Sequence, residues 1–323
     1  MAPSIAVLIP CLDEAATIAA VVRGMRAALP AAAVYVYDNG SADGTSECAR
    51  AAGAIVRSEP LRGKGNVVRR MFADVDADVY VLVDGDGTYD CAAAPLMVQR
   101  LLDERLDLVN GVRVTNRARA YRAGHRLGNV VLTFMVARVF GDRSRDLLTG
   151  YRVLSRRFVK SFPAIARGFE IETELTVHAL GLRMPLAEVE THYEERPEGS
   201  RSKLNTFRDG LRILRAILRL VKDDRPLLFF TTLAALLAAT SVVLAWPILE
   251  EYGRTGLVPR FPTAILSTGI MILACLALTS GLVLDSVSAG RREAKRLRYL
   301  EEKAPGESGA EGTRSGGSAS ESR

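Results

Sequence analysis

Residues Asp78–Tyr89 read DVYVLVDGDGTY, and this stretch decides the fold. Its mostly apolar first half is typical of a strand that is buried in a parallel sheet. The strand leads directly into Asp84 and Asp86, which a single glycine separates. Because ligands of open α/β sheets bind beyond the carboxyl ends of the strands, this order predicts a polar site at the end of a buried strand.

The chain before this stretch alternates between strand and helix patterns. Apolar runs typical of strands occupy Ser4–Pro10, Ala33–Tyr37 and Ala54–Arg57, and helical periodicity covers Glu14–Leu29, Asp43–Ala52 and Val67–Val75. The alternation predicts an α/β domain with a mostly parallel central sheet and right-handed crossovers. Asp13 and Glu14 follow the first strand and Asp38 follows the second, so we expect them at the same sheet edge as Asp84.

Two long uncharged runs follow the α/β part. Leu227–Leu249 has 23 residues and Thr263–Leu284 has 22, and none of them is charged. At about 1.5 Å per helical residue, each run is long enough to cross the hydrocarbon core of a bilayer, about 30 Å thick. Buried core helices of that length rarely lack a charge, so we expect two transmembrane helices.

Basic residues flank these runs unevenly. Six precede the first run (Arg208, Arg212, Arg215, Arg219, Lys222, Arg225), six follow the second (Arg291, Arg292, Lys295, Arg296, Arg298, Lys303), and the loop Glu250–Pro262 holds two (Arg254, Arg260). Because basic residues stay on the cytoplasmic side, we expect a multi-pass plasma-membrane protein with both termini in the cytoplasm. The N-terminal MAPSIAVLIPCLDE lacks the basic segment of a signal peptide, and we predict none there.

The composition of the whole chain excludes several classes of protein. With 323 residues, 48% hydrophobic and 25% charged, the chain is neither wholly disordered nor collagen-like. The 43 basic residues exceed the 37 acidic ones by 6, a balance that fits nucleic acid, an anionic lipid or a phosphorylated substrate and does not choose among them. The four cysteines show no C-x-x-C spacing, which disfavours structural zinc and fits reduced thiols. Aromatic and basic residues do not interleave, so we predict no nucleic-acid partner.

The Asp84-Gly-Asp86 pair carries the clearest chemistry. Two carboxylates at the end of a buried strand can converge on one hard cation, and Mg²⁺ takes one or two carboxylates together with phosphate oxygens. Such a metal neutralises the charge that develops on a leaving diphosphate. The alternative is a surface turn, since D-G-D-G is also favourable turn chemistry.

Several motifs in a fixed order carry a family resemblance. They are IPCLDE (9–14), YDNGSADGT (37–45), RGKGN (62–66), VDGDGTY (83–89), DLLTGYR (146–152), GFEIETEL (168–175) and ERPEGSRSKLN (195–205). With the two apolar runs, they resemble the polyprenyl-phosphate (dolichyl-phosphate) sugar synthases among the GT-A glycosyltransferases of the second sequence family. The resemblance implies transfer of a sugar from a nucleotide diphosphate sugar to a polyprenyl phosphate, with inversion at the anomeric carbon and Mg²⁺ or Mn²⁺ as cofactor. We favour a UDP-sugar as donor, with GDP-mannose as the second candidate.

The resemblance also implies roles for individual residues. Nucleotide-sugar binding falls to Pro10, Leu12, Glu14, Asp38, Lys64 and Asp84, metal binding to Asp84, Asp86 and Thr88, and the acceptor phosphate to Arg113, Arg122, Arg126, Arg196, Ser202 and Lys203. Asp84, Asp86 and Glu172 are the candidates for catalysis. Glu172 lies midway between Glu170 and Glu174, and the spacing leaves open whether the three share a strand face or lie on a helix.

These patterns divide the chain into four parts. We expect a cytoplasmic GT-A domain at 1–205, an amphipathic juxtamembrane helix at 206–226, two transmembrane helices with a short external loop at 227–285, and a basic juxtamembrane segment with a disordered tail at 286–323. The oligomeric state is open, a homo-oligomer included. Two alternatives for the function stay open: a glycosyltransferase with a non-polyprenyl acceptor, and a non-catalytic membrane adaptor. The presence of both Asp84 and Asp86 counts against the adaptor.

Overall fold

The computed structural model of the protein describes residues 2–114, 146–194, 222 and 225–306. The described chain forms two compact units. The first holds the residues up to 194 together with 295–306, and the second holds the described residues from 222 to 294. The predicted amphipathic helix at 206–226 lies almost wholly outside the described residues and stays a prediction.

A seven-stranded sheet forms the centre of the first unit. Its strands are β1 (Ile5–Cys11), β2 (Ala33–Asp38), β3 (Ile55–Ser58), β4 (Val79–Leu82), β5 (Leu108–Val114), β6 (Arg152–Ser155) and β7 (Leu186–His192), in the spatial order β3-β2-β1-β4-β6-β5-β7. Neighbouring strands in this sheet are parallel except where β6 pairs with β4 and with β5. The predicted α/β class with a mostly parallel sheet is confirmed, and β6 adds an antiparallel strand that the sequence patterns did not indicate.

Helices cover both faces of the sheet. One face carries α1 (Ile18–Ala28), α2 (Thr45–Ala51) and α4 (Ala94–Asp103), and the other carries α3 (Lys64–Asp74), α5 (Arg156–Ser161) and α6 (Ile171–Leu182). Because successive side chains of a strand point to opposite faces, Val7 and Ile9 pack against the first group and Leu8 packs against the second. Each face therefore has its own apolar core, and the polar residues at the strand ends are left at the edge.

The predicted element bounds agree with the structure to within a few residues. Helix α1 begins at Ile18 and not at Glu14, because residues 14–17 form a turn in which the Glu14 carbonyl accepts the Ile18 amide at 2.9 Å. Helix α3 begins at Lys64 and not at Val67, which places the R-G-K-G-N motif at a helix N-terminus. Residues 171–182 are helical, so the three glutamates around Glu172 do not share a strand face.

The second unit consists of long apolar helices, α7 (Pro226–Thr255) and α8 (Phe261–Leu300), the last turns of α8 belonging to the first unit. By length and composition each can cross a membrane, and 11% of the most apolar stretch of each helix is buried. A core helix of a soluble domain would be mostly buried, so the exposure favours membrane anchoring. Helix α8 continues beyond the predicted span into the basic segment that follows it.

These two helices pack along a seam of residues spaced seven apart. Its buried positions are Ala234, Ser241 and Ile248 on α7 and Ser267, Ala274, Gly281 and Ser288 on α8. The Ser241 hydroxyl donates to the Ser267 carbonyl at 2.7 Å. A spacing of seven keeps one face of a helix toward its neighbour, and small residues let two backbones approach closely.

Residues 299–302, near the end of the described chain, pack against the rest of the first unit. They lie at the sheet edge opposite the carboxyl ends of the parallel strands. The Tyr299 hydroxyl donates to Asp107 Oδ2 at 2.8 Å, and the Arg157 guanidinium lies 4.8 Å from the Tyr299 ring centre. The Glu302 carboxylate accepts from Arg156 Nε at 2.8 Å. Residues 299–302 are therefore an integral part of the folded domain.

Candidate active site

Turns that follow β1 and β2 are joined by hydrogen bonds at one edge of the sheet. The Ala42 amide donates to Asp13 Oδ1 at 2.9 Å, and the Glu14 amide donates to the Thr45 hydroxyl at 2.8 Å. Pro10 and Leu12, both half-buried, lie in or next to the end of β1. The structure thus brings the residues predicted to bind the nucleoside, Glu14 included, to the sheet edge at which Asp84 follows β4.

Asp38 is held by the turn that it begins. Its carboxylate accepts the Ser41 amide at 2.8 Å and the Ser46 hydroxyl at 2.6 Å. Burial opposes the charged form, but the hydrogen bonds from Ser41 and Ser46 prevail and lower the pKa of Asp38. The carboxylate is therefore ionised and fixed in direction, and its predicted contact with a base stays a prediction.

Lys64 joins two acidic residues that are far apart in the sequence. Its Nζ lies 2.5 Å from Asp84 Oδ1 and 2.6 Å from Glu172 Oε1. The Lys64 side chain is 11% exposed and the Glu172 side chain 8%. Burial disfavours the ammonium, but the charges of Asp84 and Glu172 outweigh it and raise the pKa of Lys64, so the amine stays protonated.

The two glycines around Lys64 are required by a close backbone approach. A Cβ on Gly63 would overlap the Arg167 carbonyl, and a Cβ on Gly65 would overlap the Ala166 carbonyl. The Gly65 amide donates to the same Arg167 carbonyl at 3.1 Å. The R-G-K-G motif therefore lets the start of α3 lie against the 165–168 loop, which directs Lys64 toward Glu172.

The three glutamates near residue 172 have different roles. Glu174 accepts the amides of Ile165 and Ala166 at 3.0 and 2.7 Å and so holds the 165–168 loop. Glu172 faces Lys64, and its second oxygen, Oε2, is buried without a hydrogen-bond partner among the described residues. Burial, with a smaller contribution from the Asp84 charge, raises the pKa of Glu172, although Lys64 acts in the opposite direction. Of the three glutamates, Glu172 is therefore the one whose carboxylate contacts Lys64 in the described residues.

The D-G-D turn holds both aspartates in defined positions. A Cβ on Gly150 would overlap the Asp84 carboxylate, so a larger residue before β6 would displace that carboxylate from its position. Asp86 is buried, and its Oδ1 accepts the Thr88 hydroxyl at 2.6 Å and the Thr88 amide at 3.2 Å. Thr88 thus orients Asp86 through a hydrogen bond, and its predicted role as a metal ligand stays a prediction.

Asp84 and Asp86 fit a divalent cation whose remaining ligands come from the substrate of the protein. No group of three or more His, Cys, Asp or Glu side chains able to hold an ion occurs in the described part of the chain. Two carboxylates nevertheless match the small protein contribution to Mg²⁺ sites in which phosphate oxygens complete the shell. The donor set of Asp84 and Asp86 is all oxygen, as a hard cation requires.

Arg113 forms a paired contact with a residue that sequence reasoning missed. Its Nε and Nη2 lie 2.6 and 2.7 Å from the two oxygens of Asp146, and its guanidinium lies 5.4 Å from the Tyr193 ring centre. Asp146 is the first residue of the D-L-L-T-G-Y-R motif, to which we had given no role. The other residues predicted to bind the acceptor phosphate, Arg122, Arg126, Arg196, Ser202 and Lys203, lie outside the described residues.

Arg152 ends the same motif and is the second residue that sequence reasoning missed. Its side chain is fully buried at the start of β6, beneath the first turn of α6. The sequence offered no signal for this residue, because the four-residue strand that it begins is too short to be recognised from periodicity. Only the fold identifies its partners.

Fold and site together define a glycosyltransferase with a GT-A fold. The family model described as glycosyl transferase family 2 matches residues 6–162. The chain is also 33% identical to glycosyltransferase AglJ of Haloferax volcanii over 303 residues, covering 92% of this chain and 98% of that protein. The chain belongs to glycosyl transferase family 2, which confirms the family predicted from the motifs.

Two further similarities concern proteins with more specific names. A dolichyl-phosphate hexose transferase of Haloferax volcanii is 27% identical over 221 residues, 68% of this chain and 95% of that protein. A crystal structure of glucosyl-3-phosphoglycerate synthase from Mycobacterium tuberculosis, in complex with Mn²⁺, uridine diphosphate and glucosyl-3-phosphoglycerate, matches with a TM-score of 0.55 at 26% identity. That match covers 68% of this chain and 80% of the other.

Proposed function

We propose that this protein is a membrane-bound inverting hexosyltransferase that moves a sugar from a nucleotide diphosphate sugar, a UDP-sugar in our preference, to a polyprenyl phosphate. The observation that carries the proposal is the contact of Asp84 with the Lys64–Glu172 pair, directly after β4 and two residues before Asp86. It occurs in a chain with two apolar helices long enough to cross a membrane. The product is a lipid-linked monosaccharide for glycan or cell-envelope assembly.

The proposed donor side is supported by charge and by similarity. A sugar diphosphate is an anion, and Lys64 is a buried cation next to Asp84, the first of the two aspartates that follow β4. The similar glucosyl-3-phosphoglycerate synthase was crystallised with uridine diphosphate and Mn²⁺. We assign the nucleoside to Pro10, Leu12, Glu14 and Asp38, and the diphosphate to Lys64 and Asp84.

A divalent cation, Mg²⁺ or Mn²⁺, would be held by Asp84 and Asp86, with Thr88 as the third residue of the proposed set. When bound, such an ion neutralises the charge that develops on the leaving diphosphate. Within the chain itself, Thr88 fixes the direction of the Asp86 carboxylate, and Lys64 holds Asp84. The protein therefore provides a rigid pair of acidic side chains before the substrate arrives.

The acceptor in this proposal is the phosphate of a membrane lipid. Its oxygen attacks the anomeric carbon, the bond from that carbon to the diphosphate oxygen breaks, and the nucleoside diphosphate leaves with the bonding electrons. Because the second pKa of a phosphate monoester is about 6, the attacking oxygen is already anionic at neutral pH and needs no strong base. Glu172 then positions a sugar hydroxyl or the acceptor, and Arg113, Arg122, Arg126, Arg196, Ser202 and Lys203 bind the lipid phosphate.

Membrane attachment and similarity support the lipid acceptor. Helices α7 and α8 have the length and composition of membrane spans. A similar protein bears the name dolichyl-phosphate hexose transferase. We propose that both termini and the catalytic domain lie in the cytoplasm, with the domain bounds 1–205, 206–226, 227–285 and 286–323.

A soluble phosphorylated acceptor is the second candidate. The similar glucosyl-3-phosphoglycerate synthase carries glucosyl-3-phosphoglycerate, a small phosphorylated compound that already holds the sugar, in its crystal structure. The two candidates differ in where the product partitions, so one assay distinguishes them.

The test is transfer of label from a panel of radiolabelled UDP- and GDP-sugars by the purified full-length protein with polyprenyl phosphate. We expect label in the organic phase from one donor with Mn²⁺ or Mg²⁺, and loss of that label with EDTA. Asp86→Asn should lower the turnover by at least about a hundredfold, whereas Asp103→Asn, an exposed aspartate at the end of α4, should leave it unchanged. Label that appears only in a water-soluble product, formed with 3-phosphoglycerate, would replace the lipid acceptor by the soluble one.

A further inference from the structure

Arg152 is buried, and none of its hydrogen bonds among the described residues goes to a carboxylate. The side chain has no exposed surface, and all four of its hydrogen bonds among the described residues go to neutral oxygens. Burying a guanidinium is costly unless its donors are satisfied. Burial lowers the pKa of Arg152 to about 10, which still leaves the group protonated at neutral pH. Hydrogen bonds to neutral oxygens therefore take the place of a direct ion pair at this guanidinium among the described residues.

Two of these hydrogen bonds hold the turn that precedes β6. Nη2 donates to the Leu147 carbonyl at 2.9 Å, and Nε donates to the Thr149 carbonyl at 3.1 Å. The residues at the two ends of this turn both belong to the site. Asp146 binds Arg113 through both oxygens, and Gly150 lies against the Asp84 carboxylate.

The other two hydrogen bonds hold the first turns of α6. Nη2 donates to the Glu172 carbonyl at 2.8 Å, and Nη1 donates to the Thr176 hydroxyl at 2.9 Å. The Glu172 backbone is thereby fixed, and its side chain reaches Lys64. The guanidinium is planar, and its donors have a fixed geometry. This one group therefore contacts both the Asp146–Gly150 turn and the first turns of α6, the segments that carry or adjoin the proposed donor-side and acceptor-side residues.

We propose that Arg152 is a positioning residue that fixes the Asp146–Gly150 turn and the Glu172 helix relative to each other. The donor diphosphate and the acceptor phosphate are thereby held in the relative position that the transfer requires. This inference rests on the proposed function for its kinetic consequence, because it concerns the two substrates of that reaction. Its structural part is independent of the acceptor.

The kinetic test compares Arg152→Met and Arg152→Lys with the wild-type protein in the transfer assay. A misplacement of about 1 Å can cost about a hundredfold in rate, so we expect Arg152→Met to lower kcat by about that factor and to change both KM values by less than about fivefold. Arg152→Lys keeps the charge and one or two hydrogen-bond donors. Its kcat should therefore be about tenfold higher than that of Arg152→Met. Arg157→Met is the matched control, since Arg157 pairs with Asp107 at the opposite end of β6 and should lower stability but not kcat.

Hydrogen exchange supplies a readout that does not depend on the substrate. In Arg152→Met, the amides of 147–151 and of the first turn of α6 should exchange at least about tenfold faster, whereas Arg157→Met should leave them unchanged. Unchanged exchange in both variants, or a kcat of folded Arg152→Met within about threefold of wild type, would overturn the proposal. If wild type transfers no sugar to polyprenyl phosphate but the exchange contrast is present, the proposed acceptor fails and the positioning role stands.

A second pair of variants covers the case in which Arg152→Met does not fold. Thr176→Val removes only the hydroxyl that accepts from Nη1, while Thr176→Ser keeps it. We expect kcat of Thr176→Val to be at least about threefold below that of Thr176→Ser. Equal kcat values in the two variants would contradict the proposal.

Discussion

Lys64 shows most directly how a single residue organises this site. Its ammonium lies between two carboxylates, 2.5 Å from Asp84 and 2.6 Å from Glu172. Loss of one partner of a buried ion pair is more harmful than loss of both, because the remaining charge is left buried and unpaired. Because one cation serves two carboxylates, removal of Lys64 alone and removal of Lys64 together with the Glu172 charge should have different effects on stability.

We predict that Lys64→Met destabilises the protein by about 3 kcal/mol, since it leaves the buried Glu172 carboxylate and the half-buried Asp84 carboxylate without their shared cation. Thermal unfolding in detergent measures this loss as a lower Tm. The double variant Lys64→Met with Glu172→Gln should recover at least about half of the lost stability, yet remain inactive in the transfer assay.

Lys160→Met serves as the control for this experiment. Lys160 pairs with Asp76, whose side chain is mostly exposed, and such pairs contribute about 0 to 1 kcal/mol. A Lys64→Met protein as stable as Lys160→Met would show that Glu172 and Asp84 do not need the amine for folding. The electrostatic account given for the site would then be wrong.

Glycine positions reveal how closely the elements of the protein pack. In the catalytic domain, Gly63 and Gly65 let the start of α3 meet the 165–168 loop, and Gly150 makes room for Asp84. In the helix pair, a Cβ on Gly281 would lie 2.8 Å from the Phe230 Cβ. Gly269 lies on the same helix α8, and none of the described residues comes within 4 Å of the position that its Cβ would take.

We predict that Gly281→Leu separates α7 from α8 and destabilises the pair by about 1 to 3 kcal/mol through overpacking. The measurement is the Tm of the full-length protein in detergent, together with hydrogen exchange of the α7 amides near Phe230. Gly269→Leu is the matched control and should change neither quantity. Equal effects of the two substitutions would mean that the seam is not the packing surface.

The element bounds were largely predictable, and the element contacts were not. The apolar run in residues 78–83 gave β4 to within a residue at each end, because a buried strand needs a continuous apolar segment. The short strand β6 was missed, because four residues carry too little periodicity to be recognised. Without β6, no pattern in the sequence could bring Gly150 next to Asp84.

At the scale of the whole molecule, charge asymmetry predicts an orientation in the membrane. The loop between the two apolar runs has two basic residues, and each outer flank has six. Basic flanks favour the cytoplasmic side. The structure contributes two helices of sufficient length and exposure, whereas the orientation is a proposal that rests on the sequence.

We predict that Val258→Cys, in the segment between α7 and α8, reacts with a membrane-impermeant thiol reagent applied to the outside of intact cells. Asp103→Cys, exposed on the catalytic domain, should react only after the membrane is permeabilised. The wild-type chain, with its own four cysteines, gives the background. The reverse pattern of labelling would place the catalytic domain outside the cell.

Local patterns in the sequence determined the α/β class, the order of strands and helices in the first half, and the two long apolar helices. Each depends on a periodicity or a run within about twenty residues, which the sequence displays directly. The Asp84–Asp86 pair and its place after a buried strand were also determined in this way. The tertiary structure decided which side chains meet. Lys64 contacts partners 20 and 108 positions away, and Arg113 contacts one 33 positions away. Such contacts depend on strand order, on the antiparallel β6 and on close backbone approaches at glycines, and no local periodicity encodes them.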